Sequence, residues 1–136
     1  MSDRLNTFRQ FVGPAQRSVL YSAMQGEEGE YFRAMVKDLI DHLETMPKTY
    51  EQDGKGDQAV VHLHYFTASC DWWITERDME GEQHQAFGLA DLGYGAELGY
   101  ISIAELIANR AELDLHFPPR TIEQLTAERD SKREAA

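Results

Sequence analysis

The spacing of apolar residues changes period midway along this chain, and that change dictates a mixed fold. Up to Met46 the apolar side chains recur at helical intervals; beyond Ala59 they alternate, as on a pleated strand. Phe32, Met35, Val36, Leu39, Leu43 and Met46 form the most regular helical stripe, with Glu30, Arg33, Lys37, Asp41 and Glu44 lying off it. Pro47 ends it. Leu5, Phe8, Phe11 and Val12 make an earlier stripe, broken at Gly13-Pro14. Pro14 suits the first turn of a new helix through Val19, Leu20 and Met24, where its missing N–H would have no partner anyway. That helix and the long stripe, separated by Gly26-Glu27-Glu28-Gly29, read as a helical hairpin.

After a polar connector, Glu51-Gln52-Asp53-Gly54-Lys55-Gly56-Asp57, the segments Ala59 to Phe66 and Asp71 to Arg77 read as strands joined by Thr67-Ala68-Ser69-Cys70. Gln85 to Asp91 is a third strand, and Gly93-Tyr94-Gly95 turns the chain into a short one near Leu98 to Ile101. Leu113, Leu115 and Phe117 alternate with Asp114 and His116, predicting one more half-buried strand before Pro118-Pro119. Successive hairpins of this kind make an antiparallel meander. Ser102-x-x-Glu105 and Thr121-x-x-Gln124 have the spacing of capping boxes, each opening a helix. The expected fold is α+β: an antiparallel β-meander of four to five strands against an N-terminal helical hairpin, with short C-terminal helices. One domain is expected over residues 1–136, helical over 1–47, mainly β over 58–117, with a C-terminal helix over 121–133.

Charge narrows the partners. The net charge is -11, and the acidic excess is concentrated between Gly26 and Glu97. Such a block repels phosphate, so no direct nucleic-acid binding is expected. No run approaches the roughly 18 apolar residues of a membrane span, and the N-terminus lacks the apolar core of a secretion signal. The lone Cys70 leaves no internal disulfide. A cytoplasmic location and no membrane partner are expected.

The stretches Val61-His62-Leu63-His64-Tyr65-Phe66, Trp72-Trp73-Ile74-Thr75-Glu76, Phe87-Gly88-Leu89-Ala90-Asp91, Glu97-Leu98-Gly99-Tyr100-Ile101-Ser102 and Leu113-Asp114-Leu115-His116-Phe117-Pro118-Pro119 occur in that order. Together they resemble a family of plasmid- and phage-borne proteins catalogued as a domain of unknown function, over roughly residues 46 to 126. The resemblance implies a mobile-element setting and an α+β fold, and implies no activity. The family more often places a basic residue where this chain has His64.

Among chemistry-bearing residues, His62-x-His64 is the nearest thing to a metal pair, since residues two apart on a strand share a side. Further ligands would come from Glu76, His84 or Asp114-x-His116. A regular hairpin, however, sets His64 opposite Trp73 and His62 opposite Thr75. It puts Glu76 with Val61, Leu63, Tyr65, Trp72 and Ile74 on the other face. Asp114 and His116 would project together, but no nucleophile stands beside them. Trp72 and Trp73 must face opposite sides, and an exposed Trp73 with Tyr94 and Tyr100 would seed a binding surface. No HExxH, GxSxG or dinucleotide fingerprint is present, and the connector lacks P-loop spacing. The favoured reading is a non-enzymatic protein-binding accessory protein of a mobile genetic element, acting on host defence or on its own element, with a protein partner and no cofactor. Two alternatives stay open: a small metal-assisted hydrolase using His62, His64 and His116, and an acidic mimic of nucleic acid.

Overall fold

The computed structural model describes residues 3–135. The helical stripes become α1 (Asp3–Phe11), α2 (Pro14–Met24) and α3 (Gly29–Thr45). Pro14 occupies the first turn of α2 behind an extended Gly13, and Met46 turns extended ahead of Pro47, ending α3. Phe8, Phe11, Leu20, Val36, Ile40 and Leu43 are buried on the shared inner side. Each such side chain contributes about 1.5–3 kcal/mol of burial. Arg4 braces α1 against α3, reaching Asp41 at 2.7 Å and Glu44 at 2.6 Å.

The alternating segments become β1 (Val60–Val61), β2 (Leu63–Phe66), β3 (Asp71–Glu76), β4 (Ala86–Asp91) and β5 (Ala96–Ile101). They are followed by α4 (Ile103–Ala108), β6 (Glu112–Leu113), β7 (Arg120–Thr121) and α5 (Ile122–Ala135). The main sheet has the order β5-β4-β3-β2-β6, every pairing antiparallel. The β2–β3 hairpin has the expected register, with His64 opposite Trp73 and Phe66 opposite Asp71. The α+β meander against N-terminal helices is therefore the fold of this chain.

Three features depart from the expected pattern. The strand expected from Ala59 to Phe66 breaks at His62, because Val60 and Val61 leave the sheet to pair with Thr121 and Arg120 of β7. Val61 thus packs with Trp73, not beside Leu63 and Tyr65. A register shift between Ile74 and Glu76 sets Glu76 opposite Phe87, turning it to the side it was expected to avoid. The strand expected through Phe117 stops at Leu113, where Asp114 Oδ1 accepts from the His116 amide at 3.0 Å and bends the chain.

Helices cover both faces. Leu63, Tyr65, Ile74, Ala86 and Ile101 pack with α1–α4 on one side. On the other, Trp73 and Leu89 meet Ile122 and Leu125 of α5, a fourteen-residue helix that forms a second layer. The Thr121 box is reciprocal: Thr121 Oγ1 accepts from the Gln124 amide at 3.1 Å, and Gln124 Oε1 from the Thr121 amide at 2.9 Å. Ser102 Oγ accepts from the Glu105 amide at the start of α4.

Two glutamines mend the backbone where ladders end. Gln52 Nε2 donates to the carbonyls of Val60 (2.8 Å) and Thr75 (2.7 Å), while its Oε1 accepts from the Val60 amide at 2.7 Å. From α2, Gln16 Nε2 donates to the Leu113 carbonyl at 2.7 Å and Oε1 accepts from the Leu113 amide at 3.0 Å. Its side chain thereby takes the place of a further strand beside β6.

Across from the shifted register, β4 comes unusually close to β3. A Cβ at Gly88 would stand 1.9 Å from the Trp73 carbonyl oxygen, whereas one at Gly99 would meet nothing within 4 Å. Gly88→Ala is expected to cost about 2–3 kcal/mol, with Gly99→Ala within about 0.5 kcal/mol of the parent, both read from urea midpoints.

Candidate functional site

The bulge and the glycine-rich connector together enclose a cavity of about 500 Å³ on the α5 side of the sheet. Gln52, buried at 4% exposure, ties the connector to β1 and β3. The connector then doubles back through Gly54 and Gly56 at φ +81° and +53°, a region open to glycine without strain. Tyr50, at its start, has φ 78°, which costs a non-glycine residue energy and persists only where surroundings over-determine it. Here they do. The Tyr50 amide donates to Glu76 Oε1 at 2.5 Å, and the Tyr50 and Tyr100 hydroxyls meet at 2.6 Å.

Glu76 is only 4% exposed. Thr75 Oγ1 lies 3.1 Å from Glu76 Oε2 and 3.1 Å from the Phe87 carbonyl, with its one proton to share between them. Among the described residues no Lys, Arg or His forms an ion pair with Glu76. Phe87 and Tyr100 meet edge to face at 5.6 Å, and both line the cavity with Leu98, Ala59 and Ile122. The Tyr100 hydroxyl is held above its ordinary pKa, first by its hydrogen bond to Tyr50, then by desolvation, with the charges of Asp53 and Glu76 adding to the effect.

The residues singled out in the sequence are distributed differently. His64 stacks on Trp73, rings 5.4 Å apart and 9° from parallel, with Nε2 2.7 Å from Asp71 Oδ1 and Nδ1 3.4 Å from Asp114 Oδ2. His62 turns instead to α3, where its Nδ1 lies 2.9 Å from His42 Nε2. His116 borders a second cavity, of about 390 Å³, with His42, His62 and Asp114. His84 sits by Ser102 and Glu82, 3.3 Å and 3.9 Å away. Among the described residues, no three of His, Cys, Asp and Glu are grouped so as to hold a metal ion. Cys70 stays in its hairpin turn beside Ser69.

Trp73 is not a surface residue. It is 4% exposed, covered by Leu125 and by the Arg129 guanidinium, 4.4 Å above its ring. α5 provides that cover, so Trp73 does not join the binding surface expected with Tyr94 and Tyr100. Tyr94 and Tyr100 do reach the surface, at 97% and 57% exposure, beside Leu92 and Leu98. The sequence reading missed Tyr50 and Gln52. The paired glycines after them signal a tight loop, but nothing local says which side chain that loop will bury.

The His42–His62 pair carries a pH dependence. Burial lowers both from the ordinary 6.5, and His62 falls to about 4, by desolvation first and the nearby His42 second. Above that ordinary value both rings are neutral, one donating to the other. Between about pH 6.5 and 4 the unfolded chain takes up protons that the folded chain refuses, so stability falls as pH falls. The pair is half-buried and solvent screens it, so the loss is about 1–2 kcal/mol. Urea unfolding from about pH 7.5, one unit above the window, down to its lower edge at about pH 4 should display it, and His62→Gln should flatten that part of the profile.

A family model described as "Protein of unknown function (DUF2958)" matches residues 34–130, from within α3 into α5. The span takes in the first cavity, all of the second but Tyr31, and the whole five-stranded sheet, and it leaves α1 and α2 outside. No curated protein and no solved structure matches the chain. With most of its length covered by that model, the chain belongs to the DUF2958 family of proteins of unknown function.

Proposed function

We propose that this chain is a non-enzymatic protein-binding module of a mobile genetic element, and that a basic, extended segment of its partner adds to the sheet alongside β5. The observation that carries this reading is the unequal treatment of the two sheet edges. β6 is stoppered, its Leu113 amide and carbonyl both taken by Gln16. Among the described residues β5 pairs only with β4, and it presents Ala96, Glu97, Leu98 and Tyr100 to solvent.

Open edges invite pairing, and folded proteins ordinarily blunt them with charge, proline or cover. β5 has one charged residue, Glu97, and no proline, and the exposed Leu92 and Tyr94 stand beside it. A strand added there gains main-chain hydrogen bonds, while alternate side chains reach apolar surface. The net charge of -11 steers basic segments toward the chain. The mobile-element setting rests on the family resemblance, in which a small acidic module that captures a host protein is a fitting accessory. No helix among the described residues is long and apolar enough to cross a membrane.

Selection from a displayed library of extended peptides tests the reading. Peptides alternating apolar with Lys or Arg residues should be enriched, and their amide shift changes on the labelled protein should fall within 96–101. Glu97→Lys should weaken them at least about tenfold, a loss near 1.4 kcal/mol. Shift changes confined to α3, undiminished binding to Glu97→Lys, or dimerisation through β5 in sedimentation would each overturn it.

A further inference from the structure

We infer that the cavity beneath the glycine-rich connector binds an organic cation, an alkylammonium or guanidinium group, with Glu76 supplying the counter-charge and Tyr50, Phe87 and Tyr100 the aromatic wall. The inference rests on the β5 reading only for where the cation comes from, since Leu98 and Tyr100 belong to both surfaces.

Burying a carboxylate is costly unless a cation or several donors compensate it. Glu76 Oε1 accepts from the Tyr50 amide, and Oε2 competes with the Phe87 carbonyl for the one Thr75 hydroxyl proton, which leaves accepting capacity on both. It has no cationic partner among the described residues, and it borders a cavity large enough for one. The other buried acid of this sheet, Asp91, is answered within the chain by Arg129 at 2.6 Å. Glu76 is left for a ligand to answer.

The walls select the kind of cation. Aromatic faces attract cations, most strongly where water is thinned. Ala59, Phe87, Leu98 and Ile122 make most of the lining apolar. Among the described residues no three of His, Cys, Asp and Glu are grouped to hold a metal ion, whereas an organic cation matches both the carboxylate and the carbon surface. Asp53 adds a second negative charge to the lining, and together the two acids exclude anions. The strained Tyr50 and its bond to Tyr100 hold the aromatic wall over Glu76 before any ligand arrives, which lowers the ordering cost of binding.

The test titrates the full chain with N-acetyl-arginine methylamide and tetramethylammonium, against the neutral citrulline analogue and benzoate, following amide shifts at residues 50–58, 76 and 100. Both cations should saturate, with citrulline and benzoate at least about tenfold weaker. Glu76→Gln keeps an acceptor for the Tyr50 amide and should melt near the parent, yet bind the cations at least about tenfold more weakly. Phe87→Leu should weaken tetramethylammonium several-fold. No saturable cation binding, equal binding of citrulline, or undiminished binding by a Glu76→Gln variant of parental melting temperature would overturn the inference. A basic edge-binding peptide remade with citrulline separates the sources: lost affinity assigns the cation to the partner's side chain, and retained affinity alongside free-cation binding assigns it to a small molecule. If that peptide binds regardless and neither free cation does, the cavity inference fails while the β5 reading stands.

Discussion

Three hydrogen bonds from one side-chain amide hold this sheet together at the point where its ladder gives out. Val60 and Val61 leave β2's line to join β7, and β3 shifts register after Ile74. Backbone groups at Val60 and Thr75 are thereby left without strand partners, and a buried group left so costs about 1–3 kcal/mol. Gln52 answers three of them. The same contacts anchor the connector over the sheet, next to the strained backbone of Tyr50 and above the Glu76 that the bulge turns into the cavity. The cavity is a by-product of a repair.

The two buried acids of the sheet show how differently one charge type can be managed. Asp91, 7% exposed, accepts from Arg129 and from the Gly93 amide, and the guanidinium holds it below the ordinary carboxylate range. Arg129 in turn lies across Trp73, so a charge pair and an aromatic stack share one side chain and fasten α5 to the sheet. Glu76 lies at a bulge on the neighbouring strand, held by neutral donors alone. Buried charges are ordinarily paired, as Asp91 is, whereas Glu76 relies on hydrogen bonds from uncharged groups.

Much of the fold is legible in the sequence because its signals are local. The change of period, Pro14, Pro47, the Thr121 box and the His64–Trp73 register all depend on residues a few positions apart. What was hidden depends on distant partners. The strand break at His62 follows from β7, nearly half the chain away, while Val-Val-His-Leu-His alternates as smoothly as an unbroken strand. The bulge that brings Glu76 round needs the close approach of Gly88, and a lone glycine in a strand does not say which neighbour it admits. Covering Trp73 took Arg129, in a segment whose charged sequence reads as a solvated tail. For the candidate site, the tyrosines at 94 and 100 are legible as exposed aromatics; Glu76 stands out in the sequence but on the wrong face, and Gln52 carries no local signal.

The hold of Gln16 on Leu113 has a further consequence for assembly. A sheet open at both ends can add copies of itself without limit, which is the route to fibres. Here growth has a single direction, so two chains meeting edge to edge would consume both available edges and present none to a third. Pairing through β5 would therefore stop after one step.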